Sequence, residues 1–108
     1  MMAKFFKEKL YQGLIQKIKI KKFLISKKSK FQKIEIFDTE LFGRVLALDG
    51  IIQITEKDEA AYSEMLVHPA IQSLNKKSSN VLIIGGGDGA VAEEVLKYNF
   101  IKNIDLVD

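Results

Sequence analysis

The sequence predicts an α/β chain in two parts. Residues 1–56 read as a small antiparallel β domain, and residues 57–108 as a connecting helix followed by the first β-α-β unit of a doubly wound parallel sheet. Three observations carry this. Apolar and polar residues alternate repeatedly through the first half, the period of half-buried strands. Asp49-Gly50 stands between two apolar runs and marks a tight hairpin. Val81-Leu82-Ile83-Ile84 runs straight into Gly85-Gly86-Gly87-Asp88-Gly89, and good helix formers fill residues 90–97. That is the order strand, tight turn, helix, in which glycines let a ligand approach the backbone.

Taken in order, residues 4–15 read as a short helix or an irregular lead-in. Ile18-Lys19-Ile20-Lys21 alternates and predicts a strand, which Phe23-Leu24-Ile25-Ser26 continues or follows. Lys27-Lys28-Ser29-Lys30 is a polar turn. Residues 33–37 alternate again, Asp38-Thr39-Glu40 turns the chain, and residues 42–48 return it. After Asp49-Gly50, Ile51-Ile52-Gln53-Ile54 pairs back as the last strand of a meander. Thr55 or Asp58 caps a helix whose early acids, Glu56, Asp58 and Glu59, suit its dipole. Ala61, Met65 and Leu66 have helical spacing, with Tyr62 beside them. Pro69 is expected to break, kink or restart that helix, which makes 69–74 a second short one. Residues 75–80 form a polar linker, Asn99 ends the helix after the glycine cluster, and residues 101–107 form a second strand ending at Asp108. Two parallel strands alone leave both sheet faces uncovered. The chain is therefore expected to stop where a larger doubly wound fold would begin.

Composition narrows the function classes. With no cysteine among 108 residues and one histidine, His68, no disulfide framework is possible and no metal site is expected. No run approaches the length of a membrane span, and lysines interrupt any signal-like apolar core, so a cytoplasmic protein without membrane contact is expected. The net charge of +3 is unevenly spread. Residues 1–33 hold most of the lysines and a single acid, Glu8, while the remainder is acidic. A basic arm of this kind suits nucleic acid or an anionic membrane surface. Here, however, the lysines are interleaved with Ile18, Ile20, Phe23, Leu24 and Ile25, so they read better as the solvated face of strands, with no nucleic-acid partner.

The glycine cluster is the one stretch that specifies a small-molecule site. Gly85, Gly87 and Ala90 meet the dinucleotide pattern only loosely, and Asp88 would repel a pyrophosphate. No Lys-Ser or Lys-Thr follows the glycines, which argues against a phosphate-binding loop. An adenosyl sulfonium compound, positive at sulfur and at an amine, turns the same carboxylate into an attraction. Asp108, twenty residues on at the end of the second strand, stands where an acid accepts hydrogen bonds from both ribose hydroxyls of an adenosine. Read as structure alone, Asp88 is a turn residue or helix cap and Asp108 a solvated strand end.

Phe42-Gly43-Arg44-Val45-Leu46-Ala47-Leu48-Asp49-Gly50-Ile51-Ile52-Gln53-Ile54-Thr55-Glu56-Lys57-Asp58-Glu59 resembles the N-terminal signature of the spermidine synthases, a family of polyamine aminopropyltransferases. Tyr62-Ser63-Glu64-Met65-Leu66 and residues 81–90 continue the likeness in register, and it extends over residues 5–108. The resemblance implies a small β domain followed by a Rossmann-like domain of the class I methyltransferase type. It implies transfer of an aminopropyl group from decarboxylated S-adenosylmethionine, a co-substrate rather than a cofactor, to putrescine, giving spermidine and methylthioadenosine. It also implies a homo-oligomer, a dimer or tetramer, associated through the N-terminal strands. By the same resemblance Gln32, Gln53, Asp88 and Asp108, with Gly85 and Gly87, bind the donor, and Tyr62 and Ser63 face the acceptor. The sequence departs from the pattern at several points. Ser63 stands where His or Gln is common, Ala60 and Ala61 where bulkier residues are, Phe5 where a tryptophan is frequent, and Asp108 where Glu is usual. The family's catalytic aspartate is expected beyond residue 108, so no catalytic residue is assigned within the chain, which is expected to be inactive by itself. Other readings are a methyltransferase using S-adenosylmethionine, a non-catalytic basic binding module, and an inactive gene fragment.

Overall fold

The structure, a computed structural model, describes residues 2–77 and 79–108. It divides into two compact units, Met1–Asp58 and Glu59–Asp108. The α/β class, with an antiparallel β part followed by a β-α-β unit, is the one the sequence predicts.

The first unit is a meander of five strands in sequence order, β1 (Phe5–Tyr11), β2 (Leu14–Lys28), β3 (Lys33–Thr39), β4 (Gly43–Leu48) and β5 (Ile51–Thr55). Every neighbouring pair is antiparallel. Alternation does what a period of two requires: Glu35, Phe37 and Thr39 of β3 and Val45 and Ala47 of β4 all point to the buried side. Phe37 and Val45 are completely buried and form the core with Phe6 and Ala47, and Ile20, Phe42 and Ile52 pack around them. The Phe6 and Phe37 rings lie 4.8 Å apart.

Residues 4–15 are not helical: they are β1 and the start of β2, joined by a turn at Gln12-Gly13 with Gly13 at φ 83°. The alternation is hidden in the sequence because one inward position of β1 is a carboxylate, Glu8, buried like Phe6. Glu8 accepts hydrogen bonds from Gln16 Nε2 (2.9 Å) and from the backbone N–H of Ile52 (3.0 Å), tying the β1–β2 ribbon back onto β5. Of the two readings open after residue 17, the continuous one holds: a single 15-residue strand contains both apolar runs. It bends at two places, where Lys21 and Leu24 have no partner in the ladder with β3. The turn predicted at 27–30 lies slightly later, because β2 runs to Lys28 and Ser29 closes the loop onto Gln32. The Asp49-Gly50 turn forms as expected, with both residues at positive φ (51° and 79°), the geometry that matches the twist of a hairpin.

The second unit contains α1 (Glu59–Gln72), β6 (Asn80–Ile84), α2 (Ala90–Leu96) and β7 (Asn103–Val107). β6 and β7 pair in parallel, from Asn80 opposite Asn103 to Ile84 opposite Val107. Val67, Ile83 and Val95 form the core, one residue from each of α1, β6 and α2. Pro69 does not split the helix; α1 passes through it. A proline there removes the N–H that would reach the carbonyl of Met65. Met65 lies on an exposed face, where water can satisfy that carbonyl, and only one further turn follows. β7 begins at Asn103 rather than 101, because Lys102 and Asn103 both donate their N–H to the carbonyl of Ser79 before the ladder starts.

Candidate functional site

The glycine loop between β6 and α2 is shaped by backbone geometry closed to other residues. Gly85, Gly86 and Gly89 have φ values of 83°, 75° and 87°. Side chains avoid that region, so the sharp reversal requires glycine. Gly85 donates its N–H to the carbonyl of Val107 (2.7 Å), which carries the parallel pairing one step past β6 and brings the loop against the end of β7. Gly87 is different. Its φ is not positive, and its need is space: a Cβ built there would collide with the carboxylate of Asp108. The structure therefore brings Gly85, Gly87 and Asp108 together at one end of the parallel pair. Asp108 is exposed, directly after β7. Asp88 is exposed as well, and its Oδ1 accepts the N–H of Ala90 (2.8 Å). The turn bond that the sequence allowed for this residue is thus formed, while the N-cap of α2 is Gly89 and carries no side-chain cap.

Tyr62 and Ser63 both lie in the first turns of α1, but as adjacent helical residues they point about 100° apart. Tyr62 is 68% exposed, whereas Ser63 is buried and its Oγ has no hydrogen-bond partner among the described residues. A buried hydroxyl without a partner is uncommon and costs about 1–3 kcal/mol.

In the first unit Gln32 is half-buried in the turn between β2 and β3, and its main chain is fixed by Ser29. Gln53 lies in β5, where the ladder slips. Leu46 pairs with Ile54 and Ala47 with Ile52, so Gln53 has no partner opposite it. Such a bulge re-aims a side chain. Gln53 is exposed, and its Nε2 reaches the carbonyl of Ile51 at 3.3 Å. The loop bearing Gln32 and the start of β5 lie at the same end of the meander, joined by Lys33, whose N–H donates to Asp49 Oδ1 (2.8 Å).

A polar cluster between α1 and α2 escaped the sequence reading. His68 Nδ1 is 2.7 Å from the Tyr98 hydroxyl and His68 Nε2 is 2.9 Å from Glu94 Oε2. Lys97 Nζ bonds both Glu94 oxygens, at 2.6 and 2.7 Å. The Lys97 hydrogen bonds hold the Glu94 carboxyl below the ordinary carboxylate range; burial opposes this and His68 adds to it. Lys97 is raised in turn, chiefly by its hydrogen bond to Glu94. The available signal was the spacing of Glu94, Lys97 and Tyr98, which places three polar groups on one side of a helix whose other side is apolar. Among the described residues no group of three or more His, Cys, Asp or Glu could hold a metal ion, and no helix is long and apolar enough to cross a membrane.

Comparison with known proteins gives two family matches. Residues 5–56 match the spermidine synthase tetramerisation domain, and residues 59–108 the spermine/spermidine synthase domain. A polyamine aminopropyltransferase of Alkaliphilus metalliredigens is 42% identical over 107 residues, covering 99% of this chain and 37% of its own length. A spermine synthase of Arabidopsis thaliana is 40% identical over 106 residues, covering 98% of this chain and 29% of its own. The crystal structure of spermidine synthase from Thermotoga maritima superposes with a TM-score of 0.83 at 41% identity, over 94% of this chain and 36% of that one. The chain thus spans about a third of the length of the relatives it matches.

Proposed function

The chain belongs to the spermine/spermidine synthase family, and from that premise we propose that it supplies the donor half of an aminopropyltransferase acting on decarboxylated S-adenosylmethionine, with putrescine as acceptor. The supporting observation is the seating of Asp108 against Gly87, at a position where any side chain would displace it. A carboxylate fixed beside a glycine loop at the end of a parallel strand suits the two ribose hydroxyls of an adenosine, each donating to one oxygen. Asp88, exposed on the same loop, adds a negative charge suited to a sulfonium and to the ammonium that decarboxylation leaves bare. A pyrophosphate would be repelled by the same pair.

The reaction this serves is a displacement. The acceptor nitrogen, having lost its proton, forms a bond to the carbon beside sulfur. The carbon–sulfur bond breaks, and its electrons remain on sulfur as a neutral thioether. Positive charge passes from sulfur toward the acceptor nitrogen, so the transition state keeps the charge that Asp88 attracts, and alignment of nitrogen, carbon and sulfur supplies much of the acceleration. Tyr62 and Ser63 are the acceptor-side groups in this reading, and Gln32 and Gln53 the remaining donor contacts. No described residue is assigned as the base. Residues 5–56 serve assembly into a homo-oligomer.

The test is calorimetry on the protein expressed from its complete reading frame. Asp88→Asn is expected to weaken binding of decarboxylated S-adenosylmethionine at least tenfold, about 1.4 kcal/mol, and to weaken neutral methylthioadenosine far less. Equal affinity of the variant and the parent for the cationic donor rejects the reading. A preference of the parent for S-adenosylmethionine over its decarboxylated form turns it toward methyl transfer.

A further inference from the structure

We propose that His68 is a positioning residue for the transfer reaction, holding the helix that bears Tyr62 and Ser63 in register with the glycine loop. The inference rests on the proposed aminopropyl transfer. Its own basis is the polar cluster between α1 and α2. His68 lies in the last half of α1, and Glu94 and Tyr98 lie in and just after α2, so the imidazole is held from both sides by the element that follows the loop.

The donor and acceptor count fixes the direction of these bonds. Glu94 is bonded twice by Lys97 and held below the ordinary carboxylate range, so it is ionised and can only accept. Nε2 of His68 must therefore carry the hydrogen that faces it. In the neutral ring Nδ1 is then an acceptor, and the Tyr98 hydroxyl donates to it. The chain runs from Tyr98 O–H to Nδ1, and from Nε2–H to Glu94, with Lys97 closing the far side. The Nε2–H bond to the ionised Glu94 is the fixed one; the Tyr98 hydroxyl, donor or acceptor, answers whichever form Nδ1 takes.

This arrangement exceeds what joining two helices requires. Val67 and Val95, both nearly fully buried, already pack α1 against α2. That apolar contact resists separation but is tolerant of sliding, since it is non-directional. A hydrogen-bonded imidazole is directional and fixes the axial register of α1 on α2. Tyr62 and Ser63 lie one to two turns before His68 on α1, and Ala90, where the glycine loop ends, lies one turn before Glu94 on α2. An axial shift at the cluster is passed along both rigid helices to the two groups that the reaction must align, and an error of about 1 Å there costs up to a hundredfold in rate.

The experiment uses the protein from its complete reading frame, with ring-labelled histidine and steady-state kinetics. The nitrogen spectrum of His68, assigned by its loss in His68→Gln, is expected to show the hydrogen of the neutral ring on Nε2 and to change in Tyr98→Phe. In the kinetics, Tyr98→Phe and His68→Ala are expected to raise KM for the diamine or lower kcat about tenfold, while the dissociation constant of decarboxylated S-adenosylmethionine moves less than twofold. His68→Gln, whose amide can donate to Glu94 and accept from Tyr98, is expected to recover most of the loss. A cluster that only stabilises the fold would lower the melting temperature of all three variants and leave the kinetic constants of the folded fraction unchanged. That result overturns the inference, as does an Nδ1–H tautomer. If the unsubstituted protein transfers no aminopropyl group, the activity reading falls and this one with it. If it transfers the group and the variants do so equally well, only this inference falls.

Discussion

At the scale of single residues, some glycines need a conformation, Gly87 needs room, and Gly43 needs both. Gly13 has φ 83°, and a Cβ added there would meet nothing within 4 Å, so Gly13→Ala meets only the backbone penalty of the left-handed region, about 1 kcal/mol. Gly43 has φ 67°, and a Cβ there would run into Glu56, whose Oε2 accepts the N–H of Arg44 at 3.0 Å. Gly43→Ala therefore meets the same backbone penalty and also breaks the bond that closes the end of β5 onto β4, a combined cost of about 2–3 kcal/mol. Urea unfolding of the two variants is expected to rank Gly43→Ala well below Gly13→Ala; equal midpoints would show that Glu56 moves aside at no cost. Phe37 defines the upper end of the scale. Its ring is fully buried between Phe6 and Phe23, so Phe37→Ala is expected to remove about 3–5 kcal/mol and to leave the first unit unfolded in the same titration.

At the scale of elements, what could be read from the sequence depended on whether a local signal decided the outcome. The Asp49-Gly50 hairpin and the Ile84-to-Ala90 turn were legible because Gly50, Gly85, Gly86 and Gly89 take positive φ values that favour glycine, and Asp49 is one of the few other residue types at ease there. β1 was not, because its decisive inward residue is Glu8, and a buried carboxylate is recognisable only once Gln16 and the Ile52 N–H stand beside it. Asp88 and Asp108 could be picked out by spacing, but only Asp88, bonded locally to the Ala90 N–H, keeps a setting the sequence shows; the seating of Asp108 against Gly87 arises from the parallel pairing. The helix break at Pro69 failed as an expectation for a tertiary reason: Ile71, in the turn after the proline, packs against the core of Val67, Ile83 and Val95. Pro69→Ala restores an N–H for the Met65 carbonyl and is expected to raise the melting temperature, by an amount worth about 1 kcal/mol or more but short of the roughly 3 kcal/mol of a helix centre. The α1–α2 cluster also sets a pH dependence. Because Glu94 is held below its ordinary range when folded, the unfolded chain binds a proton that the folded chain does not in the window between the two values. Stability from this group is therefore complete above the ordinary carboxylate range and is lost as pH falls through the lowered value. Circular dichroism melts across the acid range are expected to show this fall, and Glu94→Gln is expected to flatten it.

At the scale of the whole molecule the two units are unequal in how far each closes its own structure. Met1–Asp58 has five strands, a core with three side chains at zero exposure, and a ribbon folded back to β5 through Glu8. Glu59–Asp108 has a two-stranded parallel sheet on which Leu82, Ile84 and Val107 are each more than half exposed, and Ile84 is 83% exposed. Parallel strands are ordinarily covered on both faces and flanked by further strands, and two strands are too few for a sheet to be stable without such support. What holds β6 to β7 is then their five-pair ladder and one small core of Val67, Ile83 and Val95, against which Ile104 of β7 packs. Local opening free energy follows buried apolar contact and protected hydrogen bonds. Hydrogen exchange read by mass spectrometry on the 108-residue chain should accordingly resolve two regimes. Amides of β3 and β4 are expected to exchange only on global opening of the first unit, and those of β6 and β7 at least a hundredfold faster, a gap of about 2.7 kcal/mol. Uniform protection across Val45 and Ile83 would show that the parallel pair is stabilised by something other than its own core. If the exposed face is the weak point, Ile84→Lys should leave the exchange of β6 unchanged while reducing concentration-dependent association, since Ile84 contributes apolar surface to solvent and almost nothing to the packed interior.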